Sequence, residues 1–178
     1  MHSAEWRKWL SDNFNNEKEI WLVFSKKSSG KPRISYNDAV EEALCFGWID
    51  STIKSIDDEK FAQRFTPRRS NSTYSQANKE RLRWLVQEKK LHPAIQELTQ
   101  RVLSEKFIYP PDIISAIKDD EGAWKNYNNF SPAYRRIRIA YIDAARDRPE
   151  EFEKRLSHFI KISKQNKQIG FGGIEKHY

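Results

Sequence analysis

The sequence is poor in the residue types that build metal, disulfide and nucleotide sites. Cys45 is the only cysteine, and the four histidines, His2, His92, His158 and His177, lie far apart along the chain. One thiol excludes an internal disulfide, and scattered imidazoles argue against a zinc site. Glycine-rich loops of the G-x-x-x-x-G-K and G-x-G-x-x-G types are also missing. We therefore expect no cofactor and no bound metal.

Long hydrophobic runs are missing as well. No stretch approaches the roughly 18 consecutive apolar residues that a membrane-spanning helix needs. The first residues, MHSAEWRKWLSDNF, are polar and lack the apolar core of a signal peptide. The lone cysteine, between Leu44 and Phe46, fits a buried thiol in a reducing compartment. These features predict a cytoplasmic protein without a membrane span.

Aromatic residues are abundant enough to build a folded core. The chain has 178 residues, of which 38% are hydrophobic and 13% aromatic, and six of them are tryptophans. Aromatic burial offsets the entropy lost on folding, so extensive disorder is excluded. The length suits one domain or two small ones.

Positive charge is concentrated in the middle of the chain. The net charge is +7, and residues 60–106 contain eleven Lys or Arg against four Glu, whereas the remaining residues are balanced. A local positive field attracts anions. We therefore expect an anionic partner at this segment.

Apolar periodicity predicts an α+β fold, with a small three-stranded antiparallel sheet and helices, followed by a C-terminal helical subdomain. Strands are expected at 19–27 and in a hairpin over 48–67 that turns at 57–59. Helices are expected at 3–14, at 36–47 after a Ser35 cap, and at 76–90. The predicted domains are an α+β domain over 1–109, a helical subdomain over 110–168 and a glycine-rich tail over 169–178.

Burial selects a register for the predicted hairpin. It places one apolar set on one face: Ile49, Ile53, Phe61 and Phe65. It places a polar set on the other: Asp50, Thr52, Lys54, Ala62, Arg64 and Thr66. Asp50 then lies within reach of Lys54 and Arg64, whose charges would lower the pKa of Asp50 and make it a poor general base. An ion-pair network is favoured over catalysis there.

The loop RFTPRRSNSTYSQAN, residues 64–78, is the best candidate for a binding site. If Ser75 caps the following helix, the amides of residues 76–78 and the guanidinium groups of Arg68 and Arg69 could hold a phosphate, a carboxylate or a phosphodiester. The alternative is a capped surface turn with two solvated arginines.

One longer motif resembles a known family. The pattern is close to Y-x-x-A-x-x-x-A-L-x-F-G-W-I-D followed by T-P-R-R-x-x-S-x-W-S-x-x-N, with Tyr74 at the tryptophan position. It resembles the bacterial YdeI/OmpD-associated family, also called bacteriocin-protection proteins. The matching residues are Tyr36, Ala39, Ala43, Leu44, Phe46, Gly47, Trp48, Ile49, Asp50, Thr66, Pro67, Arg68, Arg69, Ser72, Ser75 and Asn78.

The C-terminal part is also similar to that family, up to about Ala145. The residues that carry this likeness are Trp124, Phe130, Ser131, Pro132, Arg135, Arg136 and Ile142. The resemblance implies a role in stress or bacteriocin tolerance, without implying a particular molecular activity. Because like charges repel, a basic chain is a poor direct trap for cationic peptides.

Together these features predict a protein that binds a small anionic ligand. The candidate ligand-binding residues are Trp48, Asp50, Lys54, Arg64, Arg68, Arg69, Ser75 and Asn78. Trp48 would wall the pocket, Asp50 would hold Lys54 or Arg64, and Arg68 and Arg69 would neutralise the ligand. Two alternatives stay open: an enzyme acting on a small anionic substrate, and a nucleic-acid-binding protein that uses the basic 60–106 segment.

Overall fold

The computed structural model describes residues 2–26, 34–69, 72–170 and 173–178, and within them it contains eight α-helices and three β-strands. In chain order, these are α1 (Ser3–Asn13), β1 (Ile20–Ser25), α2 (Tyr36–Cys45), β2 (Trp48–Ser55), β3 (Lys60–Pro67), α3 (Gln76–Gln87), α4 (Pro93–Ser104), α5 (Pro111–Lys118), α6 (Glu121–Asn129), α7 (Pro132–Asp143) and α8 (Pro149–Lys164). A short 3₁₀ turn follows at Glu175–His177. This confirms the predicted α+β class with a helical C-terminal part.

The chain forms two compact units, and α3 contributes to both. The first unit comprises Met1–Tyr74 and Arg81–Ser104, and the second comprises Ser75–Glu80 and Glu105–Tyr178. The division into domains over 1–109, 110–168 and 169–178 stays a prediction, because compactness does not test independent folding. No helix in the described residues combines the length and apolarity needed to cross a bilayer.

The first unit is built around an antiparallel sheet with strand order β1-β3-β2. Leu22 and Phe24 of β1 alternate with exposed Trp21 and Val23, which is the period of a strand with one buried face. On α1, Trp6 and Leu10 are four residues apart, and both are fully buried. The sheet and α1 therefore share one hydrophobic core.

The hairpin of β2 and β3 contains a register shift that the sequence did not predict. Near the turn, Ile53 pairs with Gln63 and Lys54 with Ala62, as expected. Nearer the base, however, Asp50 pairs with Phe65. The three-residue advance from Asp50 to Ile53 on β2 is thus matched by a two-residue advance from Phe65 to Gln63 on β3. One extra residue in one strand of a pair defines a β-bulge.

The bulge reverses the faces of the first residues of β2. Directly paired residues lie on the same face, so Asp50 joins Phe65 and Ile49 joins Thr66. The prediction was the reverse for both residues and is wrong at this end of the strand. The reason is Trp48, which is 1% exposed and lies on the Phe65 face.

Gly47 makes the turn between α2 and β2 possible. The Ser35 hydroxyl accepts a hydrogen bond from the Asp38 amide and caps α2 as predicted. At the other end, Gly47 has φ +72°, in the left-handed region that glycine tolerates. Its carbonyl accepts a hydrogen bond from the Arg68 amide at 2.9 Å. This bond fixes the chain just beyond the end of β3.

The second unit is helical, with a core of residues from α5 to α8. The most deeply buried side chains include Ile113, Ile117, Tyr134, Ile139 and Phe159. The Ser131 hydroxyl caps α7 by accepting from the Tyr134 amide, and Pro132 occupies the first turn.

A buried ion pair joins α3 to α7 in this unit. Glu80 is fully buried, and its two carboxylate oxygens each accept a hydrogen bond of 2.7 Å from Arg136. Such a bidentate pair compensates the cost of burying both charges.

The described residues of the C-terminal tail pack onto the second unit. Ile174 is fully buried in its core, and the Tyr178 hydroxyl donates to the Glu80 carbonyl at 2.8 Å. The Ile169 amide donates to the Tyr134 hydroxyl at 2.9 Å. Residues 171 and 172 of the predicted glycine-rich tail lie outside the described residues.

Replacing Ile174 by alanine tests this packing. Ile174→Ala should lower the free energy of unfolding by about 2 to 5 kcal/mol, because it leaves a cavity in a closed core. The matched control is Ile108→Ala, since Ile108 is 82% exposed and its truncation should cost less than about 0.5 kcal/mol. Chemical denaturation measures both variants, and equal effects would contradict a docked tail.

Candidate anion-binding site

The predicted ligand-binding residues are divided between the two compact units. Trp48, Asp50, Lys54, Arg64, Arg68 and Arg69 belong to the first unit, and Ser75 and Asn78 to the second. Residues 70 and 71 of the predicted loop lie outside the described residues. The environments of the predicted residues differ widely.

Trp48 is a core residue. Its ring is 1% exposed and packs edge-on against Trp9, with ring centroids 5.7 Å apart. Its indole N–H donates to the Phe14 carbonyl at 3.1 Å. The tryptophan predicted as a pocket wall therefore holds α1 against the sheet.

Asp50 is half-buried and accepts a hydrogen bond of 2.5 Å from the Tyr36 hydroxyl. Burial, together with this bond to a carboxylate, raises the pKa of Tyr36 well above its usual value. The predicted partners of Asp50 were Lys54 and Arg64. That pairing is wrong for Arg64, because the bulge places Asp50 opposite Phe65.

Arg64 pairs with Glu19 across the sheet. Its Nε donates to Glu19 Oε2 at 2.9 Å, and Nη2 contacts the same oxygen. Hydrogen bonding to Arg64 lowers the pKa of Glu19. Glu19 directly precedes β1, which pairs with β3. The ion pair thus follows from the pairing of these two strands.

Arg68 is held by its own loop. Its guanidinium carbon lies 3.7 Å from the centre of the Tyr74 ring, and Nη2 donates to the Thr73 carbonyl at 2.6 Å. Its Nε is buried without a hydrogen-bond acceptor. Burial lowers the pKa of Arg68, and nearby Tyr74 and Asp50 oppose this shift. These contacts give Arg68 a structural role in shaping the loop.

Arg69 is exposed and lines a cavity of about 520 Å³. The residues around the cavity come from the α1–β1 connection and the end of β3: Asn15, Asn16, Glu17, Lys18, Arg64, Thr66, Pro67 and Arg69. Three of them are cations and one is a carboxylate. Arg68 and Arg69 are adjacent in sequence, yet their side chains have different surroundings.

Sequence reasoning missed the contribution of Asn15, Asn16 and Lys18. The polar run NNEK, residues 15–18, reads as an ordinary connection between a helix and a strand. Only the pairing of Ile20 with Phe65 brings this connection beside the end of β3. A prediction of strand order would have been the one signal able to find these residues.

Ser75 caps α3, as supposed from the sequence. Its hydroxyl accepts from the Asn78 amide at 3.3 Å. The Asn78 amide is therefore occupied by the cap, although it was among the amides expected to face a ligand. Lys54 is exposed on β2.

Neither a metal site nor a cysteine nucleophile is supported by the described residues. No group of His, Cys, Asp and Glu suited to a metal ion occurs among the described residues. Cys45 is fully buried, and desolvation raises its pKa to about 11. A buried, protonated thiol is a poor nucleophile.

The roles of the two adjacent arginines can be separated by conservative substitution. Arg68→Lys should lower the free energy of unfolding by about 1 kcal/mol, because lysine loses the planar stacking on Tyr74 and the bond to the Thr73 carbonyl. Arg69→Lys should leave stability nearly unchanged, since Arg69 is exposed. Thermal and chemical unfolding compare the two variants, and a larger loss for Arg69→Lys would refute the structural role of Arg68.

Cys45 should resist thiol reagents in the folded protein. At about pH 8 the thiolate fraction is small and the sulfur is shielded, so a colorimetric thiol assay should show slow modification. The same chain in concentrated guanidinium should react at once. Fast modification of the folded protein would show that Cys45 is accessible.

The two parts of the chain match two family models. Residues 1–98 match "Domain of unknown function (DUF8412)", and residues 106–166 match "Bacteriocin-protection, YdeI or OmpD-Associated" (OmdA). The resemblance to the YdeI/OmpD-associated family is confirmed by the second match. The FGWID and TPRR motifs that suggested it lie in the part matched by the first model.

No curated protein and no solved structure matches the chain. The first match covers more than half of the 178 residues. The chain therefore belongs to the family of the DUF8412 domain, and residues 106–166 of its C-terminal helical part match the OmdA model.

Proposed function

We propose that this protein binds a small anionic ligand in the cavity lined by Lys18, Arg64 and Arg69, and that this binding serves a stress or bacteriocin-tolerance role. A cytoplasmic location is part of the proposal, and it rests on the single buried thiol of Cys45. The OmdA match supports the biological setting. The residues that line the cavity support the binding of an anion.

The observation that carries the proposal is an excess of cations around one cavity. Within the described residues, neither Lys18 nor Arg69 forms an ion pair with a carboxylate, whereas Arg64 is paired with Glu19. Of the described residues that line the cavity, Glu17 is the only carboxylate. Two cations without counter-ions beside one cavity attract and retain an anion.

The remaining lining residues suit a small polar ligand. Asn15, Asn16 and Thr66 supply amide and hydroxyl groups that can donate hydrogen bonds to phosphate or carboxylate oxygens. A volume of about 520 Å³ falls within the range of small-molecule sites. A phosphorylated or multiply carboxylated metabolite fits this combination of size and charge.

Binding of an anion also fits the charge of the protein better than direct capture of a cationic peptide. The chain carries a net charge of +7, so a cationic peptide would be repelled. A protective role exerted through a bound anion avoids this repulsion.

Inorganic phosphate and citrate serve as probes of the cavity. Isothermal titration calorimetry should detect binding of at least one of them to the native chain. The combined variant Lys18→Gln with Arg69→Gln should weaken that binding by about tenfold or more, because two charge-assisted contacts are removed.

The matched control is Lys54→Gln with Arg101→Gln. It removes two positive charges from exposed positions of the same unit that do not line the cavity. Its affinity should stay close to that of the native chain. Equal losses in the two double variants would show that only the overall charge matters and would reject the cavity as the site.

Salt dependence separates this proposal from nucleic-acid binding. A continuous basic surface neutralises many phosphates, so its affinity for a single-stranded oligonucleotide falls steeply with salt. We expect weak oligonucleotide binding that the Lys18→Gln, Arg69→Gln variant barely changes. Tight binding with a steep salt slope would favour the basic 60–106 segment as a nucleic-acid surface.

A further inference from the structure

A second cavity, of about 440 Å³, lies within the second unit. Its walls are mainly apolar and include Ala77, Ile137, Ala140, Ala144 and the ring of Tyr141. Arg138 also lines it, and among the described lining residues it is the one ionisable side chain besides Tyr141. An apolar pocket with a single cation is a different chemical environment from the polar cavity of the first unit.

Arg138 is buried without a carboxylate partner. It is 7% exposed, and it donates one hydrogen bond, from Nη1 to the Gly170 carbonyl at 3.3 Å. Its Nε is buried with no acceptor, and no described carboxylate pairs with it. Burial lowers the pKa of Arg138, yet a guanidinium stays protonated in proteins. An uncompensated positive charge therefore remains inside the unit.

Arg136, on the same helix as Arg138, differs from it in having a carboxylate partner. Arg136 makes two hydrogen bonds of 2.7 Å to the buried carboxylate of Glu80. Arg138 instead faces the ring of Tyr141 at 4.7 Å, and Arg155 lies over the same ring at 3.9 Å. Arg155 is paired with Glu151, whose Oε1 accepts from Arg155 Nε at 2.7 Å, so Arg138 is the guanidinium at this ring without a carboxylate among the described residues.

We propose that this cavity binds an amphipathic monocarboxylate, with the carboxylate on Arg138 and the apolar body against Ala77, Ile137, Ala140 and Ala144. Arg138 lines the cavity, and its guanidinium carries N–H donors beyond the one that bonds to Gly170, so a carboxylate oxygen can accept from them. The apolar walls favour a hydrocarbon chain or ring. The ligand class is thus a medium-length acyl acid or an acid of similar size.

The same features disfavour other ligands. One guanidinium compensates one negative charge, so a multiply charged phosphate would leave charge unpaired among apolar side chains. A neutral apolar ligand would fill the cavity and contact its apolar walls, but it would leave Arg138 without a counter-ion. This inference does not rest on the function proposed for the first cavity, because no residue is shared between the two sites.

Octanoate is a suitable probe, with 1-octanol and acetate as comparison compounds that each keep one of its two features. Octanoate should bind the native chain by isothermal titration calorimetry, whereas 1-octanol lacks the charge and acetate lacks the apolar body. Each comparison compound should bind at least about tenfold more weakly than octanoate. Equal binding of 1-octanol and octanoate would overturn the role of Arg138.

Two variants and a control locate the site. Arg138→Met retains an unbranched apolar side chain but removes the guanidinium, and it should weaken octanoate binding by about tenfold or more. The matched control is Arg155→Met, which removes the second guanidinium over Tyr141 but no residue that lines the cavity, and it should bind octanoate nearly as the native chain does. Circular dichroism checks the folding of each variant.

A blocking variant keeps the proposal testable if Arg138→Met does not fold. Ala144 is exposed at the C-terminal end of α7, so Ala144→Trp can fill the cavity mouth while Arg138 is retained. It should abolish octanoate binding, while circular dichroism shows a native fold. Octanoate binding to Ala144→Trp at native affinity, or no octanoate binding to the native chain, would reject the proposal.

Discussion

The architecture of the first unit depends on one extra residue in β2. Trp48 and Ile53 are an odd number of positions apart, so a regular strand would place them on opposite faces. The turn fixes Ile53 opposite Gln63, while burial of the large indole requires Trp48 on the face of Phe65. A bulge satisfies both conditions, and it does so by turning Asp50 away from the Arg64 face.

That displacement decides which charged groups can bind an anion. Without the bulge, Asp50 would lie opposite Thr66, beside Arg64, and its carboxylate would compete with any ligand for the guanidinium. With the bulge, Asp50 accepts from Tyr36, and Arg64 and Arg69 line the same cavity. A core-packing requirement at Trp48 thus leaves Glu17 as the only carboxylate among the described residues that line the basic cavity.

Local patterns predicted most of the elements, since caps and periodicity depend on nearby residues. Ser35 and Ser75 each cap the helix that the sequence indicated. Properties that depend on pairing distant segments were not predictable in this way. The bulge at Asp50 and the approach of Lys18 to the end of β3 depend on strand order, which hydrophobic alternation does not encode. The different surroundings of Arg68 and Arg69 depend on the aromatic neighbour Tyr74 in the folded loop.

The arginines illustrate why a charge in the sequence is weak evidence for a binding site. Arg136 and Arg64 have carboxylate partners, and Arg68 stacks on a ring and bonds to a carbonyl of its own loop, so these three guanidinium groups stabilise the fold. Among the described residues, neither Arg69 nor Arg138 has a carboxylate partner; Arg69 lines a polar surface cavity, and Arg138 lies in an apolar interior. Solvent screens the first charge, whereas the second is screened little and gains more from a counter-ion. Recognition of an anion therefore depends on which cations the fold leaves uncompensated, and the environment of each determines the class of anion that fits.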